Sequence, residues 1–104
     1  MERELRVVLE RIIDADTEQV ILFGSAAGGS VRSTSDLDLL VVRRDSRRPV
    51  ERAADLYRRA RPSLAVDLLV YTPEELEAAR TDSSFIRRVL REGRIVYDRS
   101  RAVA

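Results

Sequence analysis

The sequence predicts an α/β (α+β) domain in which helices pack on a small mixed four-stranded sheet. Four short apolar runs have the length of strands, and each is bounded by glycine, proline or charged residues. The segments around them repeat apolar residues at the 3.6-residue period of a helix. With 104 residues the chain is long enough for one core. We therefore expect a single domain over residues 1–104.

The first three elements follow from apolar periodicity and a glycine. An amphipathic helix is predicted over residues 2–15, where the apolar residues recur at helical spacing: Leu5, Val8, Leu9, Ile12 and Ile13. The apolar run 19–23 (QVILF) predicts a strand that Gly24 ends. Residues 25–29 are small and could begin a short helix, although two glycines argue against a long one. Residues 36–42 (DLDLLVV) then predict the second strand.

The middle of the chain predicts a charged turn, a helix and a strand. Residues 43–48 contain two Arg-Arg pairs, which we interpret as a solvated turn rather than as a binding patch. Pro49 is suited to the first position of a helix that reaches about residue 61. Residues 64–71 (LAVDLLVY) predict the third strand.

Two short helices and a last strand complete the predicted domain. The stretch 72–75 (TPEE) is a capping box that opens a helix. A second helix is predicted over residues 83–92, with Gly93 as its stop. Residues 95–97 (IVY) predict a brief strand, and residues 99–104 are expected to be a frayed tail.

The composition restricts the chemistry that the domain can perform. The chain has no Cys and no His, which excludes disulfides, thiolate metal sites and the commonest general base. Catalysis would depend on carboxylates, hydroxyls, Arg, Tyr or backbone amides. Such oxygen ligands favour Mg²⁺ or Mn²⁺ over Zn²⁺.

Charge and hydropathy give expectations about partners and location. The formal net charge is +1, which does not favour direct nucleic-acid binding. Neither a run long enough to span a membrane nor a signal peptide is present in the sequence. We therefore expect a cytoplasmic protein without membrane contact.

Two acids lie one residue apart inside the second predicted strand. Asp36 and Asp38 point to the same face, because side chains alternate along a strand, and their bases are roughly 7 Å apart. The third strand carries Asp67, which would join them if the two strands are neighbours. Three uncompensated carboxylates would be costly to bury, whereas divalent cations make such a cluster favourable. The acids therefore predict a metal site at Asp36, Asp38 and Asp67.

The loop before the acids has features of a phosphate-binding loop. Gly24 permits a sharp turn after the first strand, and Ser25 begins a run of small residues whose amides could face an anion. Alone, such a loop is more often a plain turn. Its spacing from the acids is the more specific feature: Gly24-Ser25, then ten residues, then Asp36-Leu37-Asp38.

This GS-x10-DxD pattern, with a strand on each side and a further Asp on a later strand, resembles the nucleotidyltransferase superfamily of DNA polymerase beta. The chain length and the ending EGRIVYDR resemble the minimal nucleotidyltransferase branch. The resemblance implies that Gly24 and Ser25 hold the phosphates of a nucleoside triphosphate. It further implies that Asp36 and Asp38 ligate two Mg²⁺ ions (or Mn²⁺), and that Asp67 completes the site of the ion that activates the acceptor.

The resemblance also implies an activity and a partner. A nucleoside monophosphate, AMP from ATP as substrate, would be transferred to an acceptor hydroxyl. Minimal members typically work beside a small helical partner of the HEPN type, as antitoxin to a toxin. The acceptor is then expected on that partner protein.

The loop departs from the minimal pattern at two positions. Such members often carry arginines where this chain has Ala26 and Gly28, and those side chains would help to neutralise a triphosphate. An alternative is therefore a catalytically silent module that neutralises its partner by occlusion. The clustered acids favour the enzyme, because they are a liability without a metal. A third interpretation, a nucleic-acid-binding domain with structural acids, fits the net charge less well.

Overall fold

The computed structural model describes residues 2–24, 37–61 and 65–102, and it confirms the predicted fold class. The helices and strands are, in chain order, α1 (Glu2–Ile12), β1 (Thr17–Phe23), β2 (Leu37–Arg43), α2 (Pro49–Ala60), β3 (Val66–Tyr71), α3 (Pro73–Asp82), α4 (Ser84–Glu92), β4 (Arg94–Asp98) and α5 (Arg99–Ala102).

The four strands form one sheet in the order β3-β2-β1-β4. β2 and β3 are parallel, whereas β1 is antiparallel to both β2 and β4, so the sheet is mixed as predicted. β2 has strands on both sides, and every one of its seven residues is buried. This position explains its nearly continuous apolar sequence.

Helices cover both faces of the sheet. On one face, α1 and α2 pack over a core that includes Leu39 of β2, and on the other face α3 and α4 pack over a smaller core that includes Leu40. Successive residues of a strand point to opposite faces, so β2 supplies both cores. Asp38, like Leu40, belongs to the face that α3 and α4 cover.

The predicted helix ends at α3 and α4 are confirmed. The Thr72 hydroxyl accepts a hydrogen bond from the Glu75 N–H, and the Glu75 carboxylate accepts one from the Thr72 N–H. This reciprocal pair is a capping box. At the end of α4, the Gly93 N–H donates to the Val89 carbonyl.

Helix α1 is shorter than predicted, because polar residues after it bond to one another. The sequence predicts a helix to residue 15, but α1 ends at Ile12. The Asp16 N–H donates to the Asp14 carboxylate, and the Asp14 N–H donates to the Thr17 hydroxyl. Such local bonds satisfy the backbone outside a helix.

Two further expectations were wrong. Arg43, expected in a solvated turn, is the last residue of β2 and only 3% exposed. The expected frayed tail instead begins with α5 (Arg99–Ala102), where the Asp98 carboxylate accepts hydrogen bonds from the N–H and hydroxyl of Ser100. Residues 103–104, and the possible helix start at residues 25–29, lie outside the described residues. No helix in the described ranges is long and apolar enough to span a membrane.

Candidate active site

Three residues from three neighbouring strands lie side by side at one end of the sheet. Asp38 of β2 pairs with Asp67 of β3 on one side and with Phe23 of β1 on the other. Directly paired residues point to the same face of a sheet. The two carboxylates therefore share the face of α3 and α4, as the sequence predicts for neighbouring strands.

Gly24 lies against the carboxylate of Asp38. The Gly24 backbone has φ +75°, a conformation that side-chain-bearing residues rarely adopt. A Cβ at this position would collide with Oδ2 of Asp38. The carboxylate thus lies directly on the backbone of the turn, and Asp38 is only 6% exposed.

Asp67 is exposed, and its carboxylate is held by a tyrosine. The Tyr57 hydroxyl on α2 donates to Oδ1 of Asp67 (3.3 Å) and accepts from the N–H of Leu68 (2.9 Å). β3 is an edge strand, so Tyr57 satisfies a backbone donor that no neighbouring strand could pair.

The negative charges of the site also affect the pKa of the tyrosine hydroxyl. Burial raises the pKa of the Tyr57 hydroxyl, the hydrogen bond from Leu68 opposes this, and the charges of Asp67 and Asp38 raise the pKa further. Tyr57 therefore stays protonated near neutral pH and remains a donor to Asp67. The sequence did not reveal this contact, because a lone tyrosine ten residues before an acid forms no recognisable pattern.

The donor set fits a hard divalent cation. Two carboxylates on adjacent strands, one buried against backbone and one open, offer the oxygen ligands that Mg²⁺ and Mn²⁺ prefer. Within residues 2–24, 37–61 and 65–102, no group of three or more acids converges on one point. The predicted third ligand, Asp36, and the predicted phosphate ligand Ser25 lie outside the described residues. The structure thus brings together Gly24, Asp38 and Asp67 of the predicted site.

A mixed four-stranded sheet with paired acids beside a glycine turn is the arrangement expected from the sequence for a nucleotidyltransferase-type domain. The family model for polymerase beta nucleotidyltransferases matches residues 10–102. The chain belongs to the polymerase beta nucleotidyltransferase family. A comparison with curated proteins finds no match.

Solved structures with the same fold include a candidate nucleotidyltransferase from Sulfolobus solfataricus. It shares 22% identity at a TM-score of 0.64, over 96% of this chain and 85% of that one. A toxin–antitoxin structure with AMP-PNP shares 24% identity at a TM-score of 0.55, over 93% and 73% of the two chains. A mutant of the toxin–antitoxin MntA-HpeT shares 19% identity at a TM-score of 0.52, over 94% and 73%. At these identities the likeness establishes the fold.

Proposed function

We propose that this chain is a divalent-dependent nucleotidyltransferase that transfers AMP from ATP to an acceptor hydroxyl. The observation that carries the proposal is the pairing of Asp38 with Asp67 on adjacent strands, with Gly24 against Asp38. Family membership supports the reaction class.

In this reaction the acceptor oxygen forms a bond to the α-phosphorus, and the bond from that phosphorus to the pyrophosphate oxygen breaks. The acceptor hydroxyl loses its proton to solvent water, and pyrophosphate departs with the electron pair of the broken bond. Bound Mg²⁺ would lower the pKa of that hydroxyl and stabilise the charge of the leaving pyrophosphate.

The chain's own residues would hold and orient the reactants. Asp38 and Asp67, with Asp36, would ligate the metal, as hard oxygen donors. Gly24 has no side chain, so the Asp38 carboxylate lies against its backbone, and the Gly24 amide would meet a phosphate oxygen beside that carboxylate. Asp67 is the more exposed of the two described acids and is the better placed to meet an acceptor that arrives from solvent. Tyr57 fixes the Asp67 carboxylate for that encounter.

We further propose that the acceptor hydroxyl lies on a toxin partner of the HEPN type, so that the chain acts as an antitoxin. Two structures of like fold are toxin–antitoxin pairs, and one was solved with AMP-PNP. These two likenesses support a toxin partner and an adenine nucleotide, whereas the HEPN type comes from the resemblance of the sequence to the minimal branch.

The alternative is a silent module that neutralises its partner by occlusion. Ala26 and Gly28, in place of the loop arginines of many minimal members, favour it. Losing two charge-assisted contacts, each worth on the order of 1.5–3 kcal/mol, would weaken triphosphate binding by roughly a hundredfold or more. We infer a working enzyme with a high KM for ATP.

A label-transfer experiment separates the two functions. The chain, its co-expressed genomic neighbour, Mg²⁺ and ATP labelled at the α-phosphate should give a covalently labelled partner. Asp38→Asn and Asp67→Asn should abolish the label, and Asp82→Asn, an exposed acid on α3, should retain it. Inhibition of the partner without any label at saturating ATP, and equally by the aspartate variants, would establish the silent module.

A further inference from the structure

We propose that Phe85 forms the subsite that receives the nucleobase, by stacking against it. This inference rests on the proposed function, since it concerns the base of the nucleotide whose phosphates would lie at Gly24 and Asp38. Neither the family match nor the paired acids identify a residue that would contact the base.

The direction of α4 carries Phe85 toward the acids. At the far end of α4, a Cβ on Gly93 would meet Cγ2 of Ile21 at 2.5 Å, so the helix ends over the middle of β1. At its beginning, the Phe85 ring lies 5.8 Å from the ring of Phe23, the last residue of β1. Helix α4 therefore begins at the end of β1 that leads into Gly24.

Phe23 connects Phe85 to the paired acids. Phe23 pairs directly with Asp38, so both side chains point to the same face of the sheet. The Phe85 and Phe23 rings meet edge-to-face at 82°, a favoured geometry for an aromatic pair. Phe23 thus supports the Phe85 ring beside Asp38, on the side away from Asp67.

Phe85 keeps much of its surface open in spite of this contact. It is 51% exposed, whereas its neighbours on α4, Ile86 and Val89, are buried in the core between α4 and the sheet. The open part of the ring therefore offers an aromatic face on which a ligand could stack. The position next to the proposed phosphate site makes a nucleobase the ligand that fits best.

Stacking sets the specificity that we expect. Every base has a π-face, and stacking on an aromatic side chain is tolerant of base identity. Larger purine rings cover more of the phenylalanine than pyrimidine rings do. We therefore expect Phe85 to favour ATP and GTP over CTP and UTP, with little discrimination between the two purines.

Binding of two probes tests this subsite. With Mn²⁺ present, the affinities of ATP and of inorganic tripolyphosphate, which has no base, are measured for the wild type and three variants. Phe85→Ala should weaken ATP roughly tenfold or more and leave tripolyphosphate unchanged. Phe85→Tyr should keep ATP binding, because it keeps the π-face. Val50→Ala, at a more exposed apolar residue on α2, is the matched control and should change neither affinity.

The outcomes distinguish this inference from the proposed function. Wild-type affinity for ATP in Phe85→Ala would overturn the base subsite but would not affect the phosphate site. The same conclusion would hold if this variant kept its ATP affinity and lost binding to a partner protein. Equal losses for ATP and tripolyphosphate would overturn it too, since they would show damage to the phosphate site. A wild type that binds neither probe would overturn the nucleotidyltransferase proposal together with the subsite.

Discussion

Gly24 is the residue whose backbone contributes most to the shape of the site. Its positive φ and its contact with the Asp38 carboxylate both exclude a side chain. The sequence indicated a sharp turn at this glycine, but it did not show that the glycine also leaves space for the carboxylate of Asp38.

We predict that Gly24→Ala displaces Asp38 and strains the turn. The free energy of unfolding should fall by about 1–2 kcal/mol from the left-handed backbone alone. Divalent binding should be lost as well, which a calorimetric titration with Mn²⁺ would show. Gly93→Ala is the control, because its Cβ would meet Ile21 and the Val89 carbonyl, away from the acids. Gly93→Ala should lower the free energy of unfolding, but the folded variant should still bind Mn²⁺. Unaltered Mn²⁺ binding in Gly24→Ala would contradict this account.

Tyr57 gives a second prediction at the scale of a single residue. Tyr57→Phe removes the hydroxyl that joins Asp67 to the Leu68 N–H. We expect a loss of about 1 kcal/mol in the free energy of unfolding, typical of a hydrogen bond, and weaker Mn²⁺ binding because Asp67 becomes free to rotate. Chemical denaturation and calorimetry measure the two effects. Unchanged Mn²⁺ affinity would show that the tyrosine serves only the edge of the sheet.

At the scale of elements, an ion pair between a buried arginine of α2 and an exposed glutamate of α3 joins the two helices. Arg52 of α2 is 1% exposed, and its guanidinium donates two hydrogen bonds of 2.9 Å to the Glu75 carboxylate. Within the described residues its Nε has no hydrogen-bond partner. The Glu75 carboxylate also accepts a hydrogen bond from the Thr72 N–H. The same carboxylate therefore caps α3 and neutralises the charge of Arg52 on α2.

We predict an asymmetry between the two partners of this pair. Glu75→Ala leaves a buried guanidinium without its counter-ion and should cost about 3–5 kcal/mol. Arg52→Met fills the same space without charge, and the exposed Glu75 can then be hydrated, so the cost should be smaller. Urea denaturation of both single variants and of the double variant measures the difference. A larger loss for Arg52→Met than for Glu75→Ala would contradict the argument.

The elements were more predictable than the side-chain contacts between them. Apolar periodicity, the TPEE stretch and Gly93 predicted the helices and strands, because these signals are local. Local spacing also placed Asp38 on a strand, but only the pairing of β2 with β3 brings it beside Asp67. The contacts of Arg43 and Tyr57 depend on residues far along the chain, and no short pattern marks them. The predicted ligands Asp36 and Ser25 stay predictions.

At the scale of the whole molecule, the two ends of β2 have different electrostatic environments. The end near Asp38 carries the paired acids. At the other end the buried Arg43 bonds to Asp14, whose carboxylate also accepts from Arg59, while Arg47 bonds to Asp45. Each of these acids is hydrogen-bonded to at least one arginine. We therefore expect the ionic network at that end to contribute to the stability of the fold, whereas the proposed function concerns the acidic end.

We predict that this ionic network makes the protein sensitive to acid. The hydrogen bond from Arg47 holds the pKa of Asp45 at about 2, below the usual 3.8. Burial raises the pKa of Asp14, but the hydrogen bonds from Arg59 and the Asp16 N–H, together with the charges of Arg43 and Arg59, outweigh it and lower the pKa. Because the unfolded chain binds these protons first, the stabilisation is present above about pH 4 and is lost as pH falls toward 2.

Denaturation at a series of pH values checks this prediction. The free energy of unfolding should fall between about pH 4 and pH 2, and Asp45→Asn should reduce that fall by on the order of 1 kcal/mol, allowing for solvent screening. Asp82→Asn, at an exposed acid outside the network, is the control and should leave the slope unchanged. If the free energy of unfolding of Asp45→Asn fell with pH as steeply as that of the wild type, Asp45 would not contribute to the acid sensitivity.

The central claim, that Asp38 and Asp67 form a divalent site, is tested most directly by calorimetric titration of the wild type, Asp38→Asn and Asp67→Asn with Mn²⁺ in the presence of ATP. Asn at position 67 can still accept the Tyr57 hydrogen bond, so this variant removes charge with little change of shape. We expect saturable Mn²⁺ binding in the wild type, its loss in both variants, and its retention in Asp82→Asn. In the absence of metal, Asp67→Asn should be as stable as the wild type or slightly more stable, because like charges directly opposite in a sheet repel. Wild-type Mn²⁺ affinity in both Asp38→Asn and Asp67→Asn would contradict the account.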